Sequence, residues 1–267
     1  MTITKPVLCM AVAAAVSACG ATTEPPVVVD ARSVVIGDMP AGVTLIRNDD
    51  NTYALTDSTL PEPIRIGGYL LGPLGSESYQ TIPTCDEGGI CVYLTRVHHG
   101  KTPGGEGEVT FVFSPPAAYR GLDLTATELV RTGPTTIPAN GSITMTGVTA
   151  IFTYYADGGY GYSAEGIAEL TANFDDGHIS GRTYDLQYFS GGGDLNQYAA
   201  TFELTDITGG SFSGVVNPDN AAYLNGTYDG IIVGASGDQA IGAYSFVNPI
   251  VSETVNGIFM VGGAASP

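Results

Sequence analysis

The sequence of 267 residues contains no tryptophan, three histidines, and nine lysines and arginines against 27 aspartates and glutamates. A formal net charge of -18 excludes the broad basic surface that would hold nucleic acid or anionic lipid headgroups. No long stretch repeats apolar residues at helical spacing, and none runs apolar for the roughly 20 residues that a membrane-spanning helix needs. The best helical candidate is GLDLTATELVRTG, 121–133, where Thr and Gly both oppose a helix. A Gly-x-Ser-x-Gly elbow, a His-Glu-x-x-His helix and a phosphate-binding loop are all missing. The chain is therefore read as non-catalytic, with no cofactor and no metal centre.

What remains is rich in Thr, Val, Tyr and Gly, an all-β composition. From about residue 142 the chain breaks into eight short apolar or alternating runs separated by turn residues. In one, Ala168, Leu170, Ala172 and Phe174 alternate with Glu169, Thr171 and Asn173. In another, Ala200, Phe202 and Leu204 alternate with Thr201, Glu203 and Thr205. Both read as strands with one wet face. DDGH (175–178) and TGGS (208–211) supply hairpin turns. Eight antiparallel strands in about 120 residues predict a C-terminal up-and-down β-barrel over 141–267. The segment 30–140 reads as a β-rich N-terminal subdomain, with VTLIRNDDNTYALT, IRIGGYLLG, ICVYLTRVHHG and GEVTFVFSP as its strand-like stretches.

LNGTYDGIIVGASGDQAIGAYSF (224–246) places glycines inside two apolar strands, where each costs about 0.5–1 kcal/mol relative to alanine. Gly226, Gly230, Gly234 and Gly242 fall at even offsets and are expected on one strand face, where a tightly coiled sheet has no room for Cβ. Gly237 belongs to the turn.

The amino terminus carries Lys5 and then a short apolar run, Val7 to Val16, as in an export signal. Val16-Ser17-Ala18-Cys19-Gly20 resembles the lipobox of bacterial lipoproteins. That resemblance implies removal of residues 1–18, lipidation of Cys19, a tether over 19–29 and, with Gly20 in place of an aspartate, a Gram-negative outer membrane. Several acyl chains, at about 0.8 kcal/mol per buried methylene, anchor stably where one would not. The mature chain would keep 8 basic residues against 27 acidic ones, a formal net of -19. Such a field suits a cationic patch on a protein partner or a bound cation, and it also keeps an extracellular protein soluble. With Cys9 lost and Cys19 lipidated, Cys85 and Cys91 remain to pair as a loop-stapling disulfide.

Gly226-x-Tyr228-x-Gly230, Gly234, Ile241-Gly242, Phe246 and VNGIFMVGG (255–263) resemble the closing strands of the barrel domain of the transferrin-binding protein B family. GIAELTANFDDGHISG (166–181) and GGSFSGVV (209–216) resemble the central hairpins of that domain. Ala235 and Ala243 depart from its usual proline and glycine, and the ASGDQ turn is one residue longer. The resemblance covers about 125 residues. It implies a surface-exposed, lipid-anchored binding protein capturing a protein or an iron- or haem-bearing ligand, with 30–140 in the place of a handle subdomain. Nothing before residue 140 resembles the transferrin-contacting portion, so transferrin itself is not carried over. A second reading is a structural envelope lipoprotein packing against periplasmic or outer-membrane partners.

Few other residues invite chemistry. Adjacent His98 and His99 are expected on opposite faces of an exposed strand end, which does not suit chelation of one ion. His178 is expected in a solvated turn. NDDN (48–51) and FDDG (174–177) lack EF-hand spacing. Tyr154, Tyr155, Tyr160 and Tyr162 offer amphipathic contact area or ordinary rim packing.

Overall fold

A computed structural model describes residues 26–38, 43–47, 53–57, 64–66, 70–71, 82–85, 91–102, 104–114, 124–156, 160–188 and 193–263. The described residues contain no α-helix; one short 3-10 turn, Asn196–Tyr198, interrupts nineteen strands. The first eleven are β1 (Val27–Val29), β2 (Arg32–Asp38), β3 (Val43–Arg47), β4 (Tyr53–Asp57), β5 (Ile64–Ile66), β6 (Leu70–Leu71), β7 (Ile82–Cys85), β8 (Cys91–Lys101), β9 (Gly107–Ser114), β10 (Leu124–Arg131) and β11 (Thr135–Ile137). The remaining eight are β12 (Ser142–Tyr155), β13 (Tyr160–Asn173), β14 (His178–Tyr188), β15 (Ala200–Asp206), β16 (Ser211–Pro218), β17 (Leu224–Val233), β18 (Gln239–Asn248) and β19 (Glu253–Gly263).

Strands β12 to β19 pair in chain order and close, β19 back onto β12, into an antiparallel eight-stranded barrel. Gly177, Gly209 and Gly210 take positive φ in the two hairpin turns expected of them. Ahead of the barrel, β2-β10-β9-β8-β6 form one sheet with β7 attached to β8; β3-β4-β5 form a meander, and β1 pairs with β11. Within the helical candidate at 121–133, Leu124–Arg131 is β10. Its Ala126, Thr127 and Leu129 are buried between β2 and β9, so sheet pairing prevails over a weak local preference.

Two apolar cores form among the described residues. The first fills the barrel: Ala168, Leu170, Ala172, Phe202, Tyr228 and Phe259 lie within it, as the alternation in β13 predicts. The second lies outside the barrel wall, where Ala150, Phe152, Ile231, Ile241, Ile258 and Met260 meet Val109, Phe111 and Leu129 of the N-terminal sheet. Strands β12, β17, β18 and β19 are thereby buried on both faces over much of their length.

Bulges break the alternation elsewhere. Between Glu165 and Ile167 of β13, strand β14 carries an extra residue at Asp185, whose φ is 52°. Between Ile179 and Gly181 of β14, strand β15 carries an extra residue. That insertion reverses the parity of β15 and turns Leu204 outward, 67% exposed, instead of into the core with Ala200 and Phe202.

Candidate functional site

The glycine-rich closing strands form a row-by-row complement of aromatic and glycine. Across β16, β17, β18 and β19 one row reads Phe212, Gly230, Gly242, Phe259, and the next reads Gly214, Tyr228, Tyr244, Gly257. Each ring lies across its cross-strand glycine: a Cβ on Gly230 would strike Phe212, one on Gly242 would strike Phe259, and one on Gly257 would strike Tyr244. Gly226 sits at a bulge in β17, where the Ser245 carbonyl leaves no room for a side chain. Gly234 departs from the expected strand face: it follows the end of β17 and has φ 89°, so it serves the turn, as Gly237 does at φ 65°.

The rings fill the barrel. Phe202 stands between Tyr228, Tyr244 and Phe259 at centroid distances of 4.9, 5.2 and 5.4 Å. Tyr244 OH lies 3.0 Å from Thr149 Oγ1, which itself donates to the Ile258 carbonyl at 2.9 Å. Burial pushes the Tyr244 phenol up to about 12. The Tyr228 phenol passes between strands to donate to the Glu203 carbonyl at 2.5 Å, and burial, then the Glu203 charge, pushes it up to about 12. Such phenols stay protonated and act as donors.

That Tyr228 bond crosses a seam. Strands β15 and β16 pair only over Ala200, Thr201 and Phe202. Beyond this the strands part, bridged by Thr205 Oγ1 donating to the Ser213 carbonyl at 2.5 Å. Over the seam lies β2, held there by Arg32 Nη1 donating to Ser211 Oγ at 2.9 Å. The cleft between them has a volume of about 430 Å³, within the usual range for small-ligand sites. Val34, Ile36 and Leu129 form one wall, Phe212 and Ile231 the other; Thr205, Ser213, Asp206 and Asp229 add polar groups. Asp229 projects from the outer face of β17 and also lines an adjoining hollow beside Gly37, Thr127 and Asn256. It is half-buried, nothing among the described residues donates a hydrogen bond to it, and burial raises its pKa above the ordinary carboxylate value.

A buried arginine fixes the geometry of this junction. Arg131, 2% exposed at the end of β10, donates to the carbonyls of Ile232 at 2.9 Å, Gly210 at 3.0 Å and Asp30 at 3.1 Å. Burial, then the neighbouring Arg32 charge, lowers its pKa. At the opposite barrel end, Glu253 is buried and accepts hydrogen bonds from Tyr198 OH at 2.9 Å and Tyr223 OH at 2.6 Å. Burial, then these bonds to Glu253, raises both phenols. Tyr162 lies on the rim of that end, 39% exposed and edge-on to Tyr188.

Other sequence candidates fall in different surroundings. His98 and His99 are buried, not at an exposed strand end, because β8 is an interior strand of its sheet and one face packs on the barrel. They do point to opposite faces: His98 lies 3.9 Å from the Phe152 ring centroid, and His99 Nδ1 lies 2.9 Å from Thr110 Oγ1. His178 opens β14, with Nε2 3.1 Å from Asp206. Asp175 and Asp176 serve their turn, accepting from Gly141 N and Asn173 Nδ2. No group of three or more metal-ligating side chains occurs among the described residues. Cys19 and the NDDN stretch lie outside the described residues.

Asp229, Arg131 and Glu253 were not singled out from sequence. Asp229 leaves one trace there: it is a charge at an outward position followed, at the next two outward positions, by Ile231 and Val233.

No family model and no curated protein matches the sequence. Among solved structures, the chain is similar to transferrin binding protein B of Haemophilus parasuis Hp5, with a TM-score of 0.46 and 12% identity, over 89% of this chain and 45% of that one. It is also similar to isotype 1 transferrin binding protein B of serogroup B Neisseria meningitidis, with a TM-score of 0.44 and 14% identity, over 89% and 44%. A third similarity is to the N-lobe domain of lactoferrin binding protein B of Moraxella bovis, with a TM-score of 0.34 and 11% identity, over 90% and 99%. The chain spans less than half the length of the two transferrin binding proteins.

Proposed function

We infer that the protein is a non-catalytic, lipid-anchored binding protein of a Gram-negative outer membrane, meeting a protein or an iron- or haem-bearing ligand on the outside of its barrel. The observation that carries this reading is the filled interior. Rings from β15 to β19 occupy the space that a cargo-carrying barrel leaves open, so binding falls to exterior surfaces and loops.

The lipobox-like sequence supports an anchor at Cys19, and the way the chain enters the fold supports one barrel end, rather than the other, lying next to the membrane. From Cys19 to Val27 the chain spans at most about 30 Å. Val27 begins β1, whose partner β11 sits against the β17–β18 turn, with Thr136 N donating to Ala235 O. The barrel end carrying that turn would face the membrane. The other end, with Tyr162, Ile250 and Val251 exposed, would face away from it. The register of β7 and β8 pairs Cys85 directly with Cys91, which supports the proposed disulfide.

Protease treatment of intact cells, repeated after outer-membrane permeabilisation, tests the reading. Digestion on intact cells is the expected result. Protection until permeabilisation would overturn surface display and leave the structural envelope lipoprotein as the reading.

A further inference from the structure

The geometry points to the cleft between β2 and the β15–β17 seam as a binding site for a primary alkylammonium group, with Asp229 as its counter-charge. The cleft offers about 430 Å³ behind apolar walls from Val34, Ile36, Leu129, Phe212 and Ile231. Its polar groups are hydroxyls and carboxylates, apart from Arg32, whose Nη1 is engaged by Ser211 at the rim.

The state of Asp229 sets the ligand class. A half-buried carboxylate carries a desolvation cost that a hydrogen bond or an opposite charge normally offsets. None of the described residues offsets it, although most of the other buried or half-buried acids among the described residues have such a partner: Glu253 has two tyrosines, Glu108 has Lys101 at 2.7 Å, and Glu169 has Arg182 at 3.0 Å. A cation entering the cleft would supply the missing charge. The apolar walls suit an alkyl shaft behind it, as an amphipathic lysine-like chain presents. A bare metal ion is a poorer match, since it needs several oxygen ligands and no cluster of three acidic or metal-ligating side chains stands here among the described residues.

Either a free alkylamine or the lysine side chain of a protein segment carries this chemistry. The site deepens the reading of a binding protein that uses its outer surface, but it is independent of cellular address. Amine binding by the purified protein and protease digestion on cells can each fail alone.

The test is two-dimensional amide NMR of the whole protein titrated with n-pentylamine, with n-pentanol as the uncharged isostere and Nα-acetyl-lysine methylamide as the side-chain probe. Saturable shifts confined to Thr205–Asp206, Ser211–Ser213 and Gly230–Ile231 are expected with n-pentylamine, and at least tenfold weaker binding with n-pentanol. Asp229→Asn should weaken n-pentylamine binding at least tenfold. Val34→Trp, which fills the cleft and leaves the carboxylate in place, should do the same. Binding of the blocked lysine as well would assign the site to a protein segment; binding of n-pentylamine alone would assign it to a free amine. Equal binding of amine and alcohol, or unchanged binding by a folded Asp229→Asn protein, would overturn the proposal.

Discussion

The two halves of the barrel wall bury different amounts of the same kind of strand. In β13 to β16 the inner face is buried and the outer face is wet, so Leu170 is 1% exposed while Leu204 is 67% exposed. In β12 and β17 to β19 the outer face is roofed by the N-terminal sheet, so Ile231, Ile241 and Ile258 are at most 1% exposed although they point away from the barrel interior. Near-continuous apolar runs usually mark parallel sheets covered by helices. Here an antiparallel wall acquires them because another sheet covers it. The roofed half and its neighbour β16 also carry the aromatic–glycine rows, and the cleft opens where the roof ends.

The sharpest way to break this comparison is to add a side chain to a glycine row. Gly242→Val would drive Cβ into the Phe259 ring and the Asp229 carbonyl. A loss of roughly 4 kcal/mol or more, or failure to fold, is expected, whereas Thr171→Ala on the wet face should stay within about 0.5 kcal/mol. Urea unfolding monitored by circular dichroism measures both.

Two outward-facing aliphatic residues give a more direct contrast. Ile258→Ala, under the roof, should lower stability by about 3 kcal/mol, and Leu204→Ala, on the wet half, by no more than about 0.5 kcal/mol. Similar losses at both positions would mean that the roof is not seated on the barrel. Arg131→Met should cost about 2–3 kcal/mol by leaving the carbonyls of Asp30, Gly210 and Ile232 without their donor. Its amide exchange should rise first in the β15–β16 turn and at the end of β17.

The smallest effect is expected at Asp229, with a definite sign. Its folded pKa lies above the ordinary value, so the folded state holds the proton more tightly than the unfolded chain. The carboxylate therefore opposes folding above its folded pKa, and that opposition disappears as pH falls towards the unfolded value of about 3.9. Asp229→Asn should raise the melting temperature at pH 7 and leave it unchanged near pH 3. A lowered melting temperature at pH 7 would mean that the carboxylate has a stabilising partner.

How much of this was legible in the sequence follows the same division. In the wet half, period-2 alternation placed Ala168, Leu170, Ala172 and Phe174 in the core directly. It misplaced Leu204 because a one-residue bulge leaves no mark in composition. In the roofed half, the strands could be read but not their second burial, since roofing depends on β2, β8, β9 and β10, more than 90 residues away from β17. The same non-locality hid the cleft. Asp229 and Val34 meet only when sheet and barrel dock, and the buried state of His98 and His99 depends on that docking too. Even the glycines were half legible: a lack of room for Cβ could be argued from strand coiling, but the rings opposite Gly230 and Gly242 are a matter of register.

The proposed function requires a barrel that displays its outside and has no room within. Benzene titration, followed by NMR on the native protein and on Phe202→Ala, tests this most directly. Removing the central ring should create an apolar cavity able to take up benzene, while the native barrel should show no saturable shifts at interior residues such as Tyr228 and Phe259. Saturable binding inside the native barrel would contradict the account and make the protein a container for an apolar ligand.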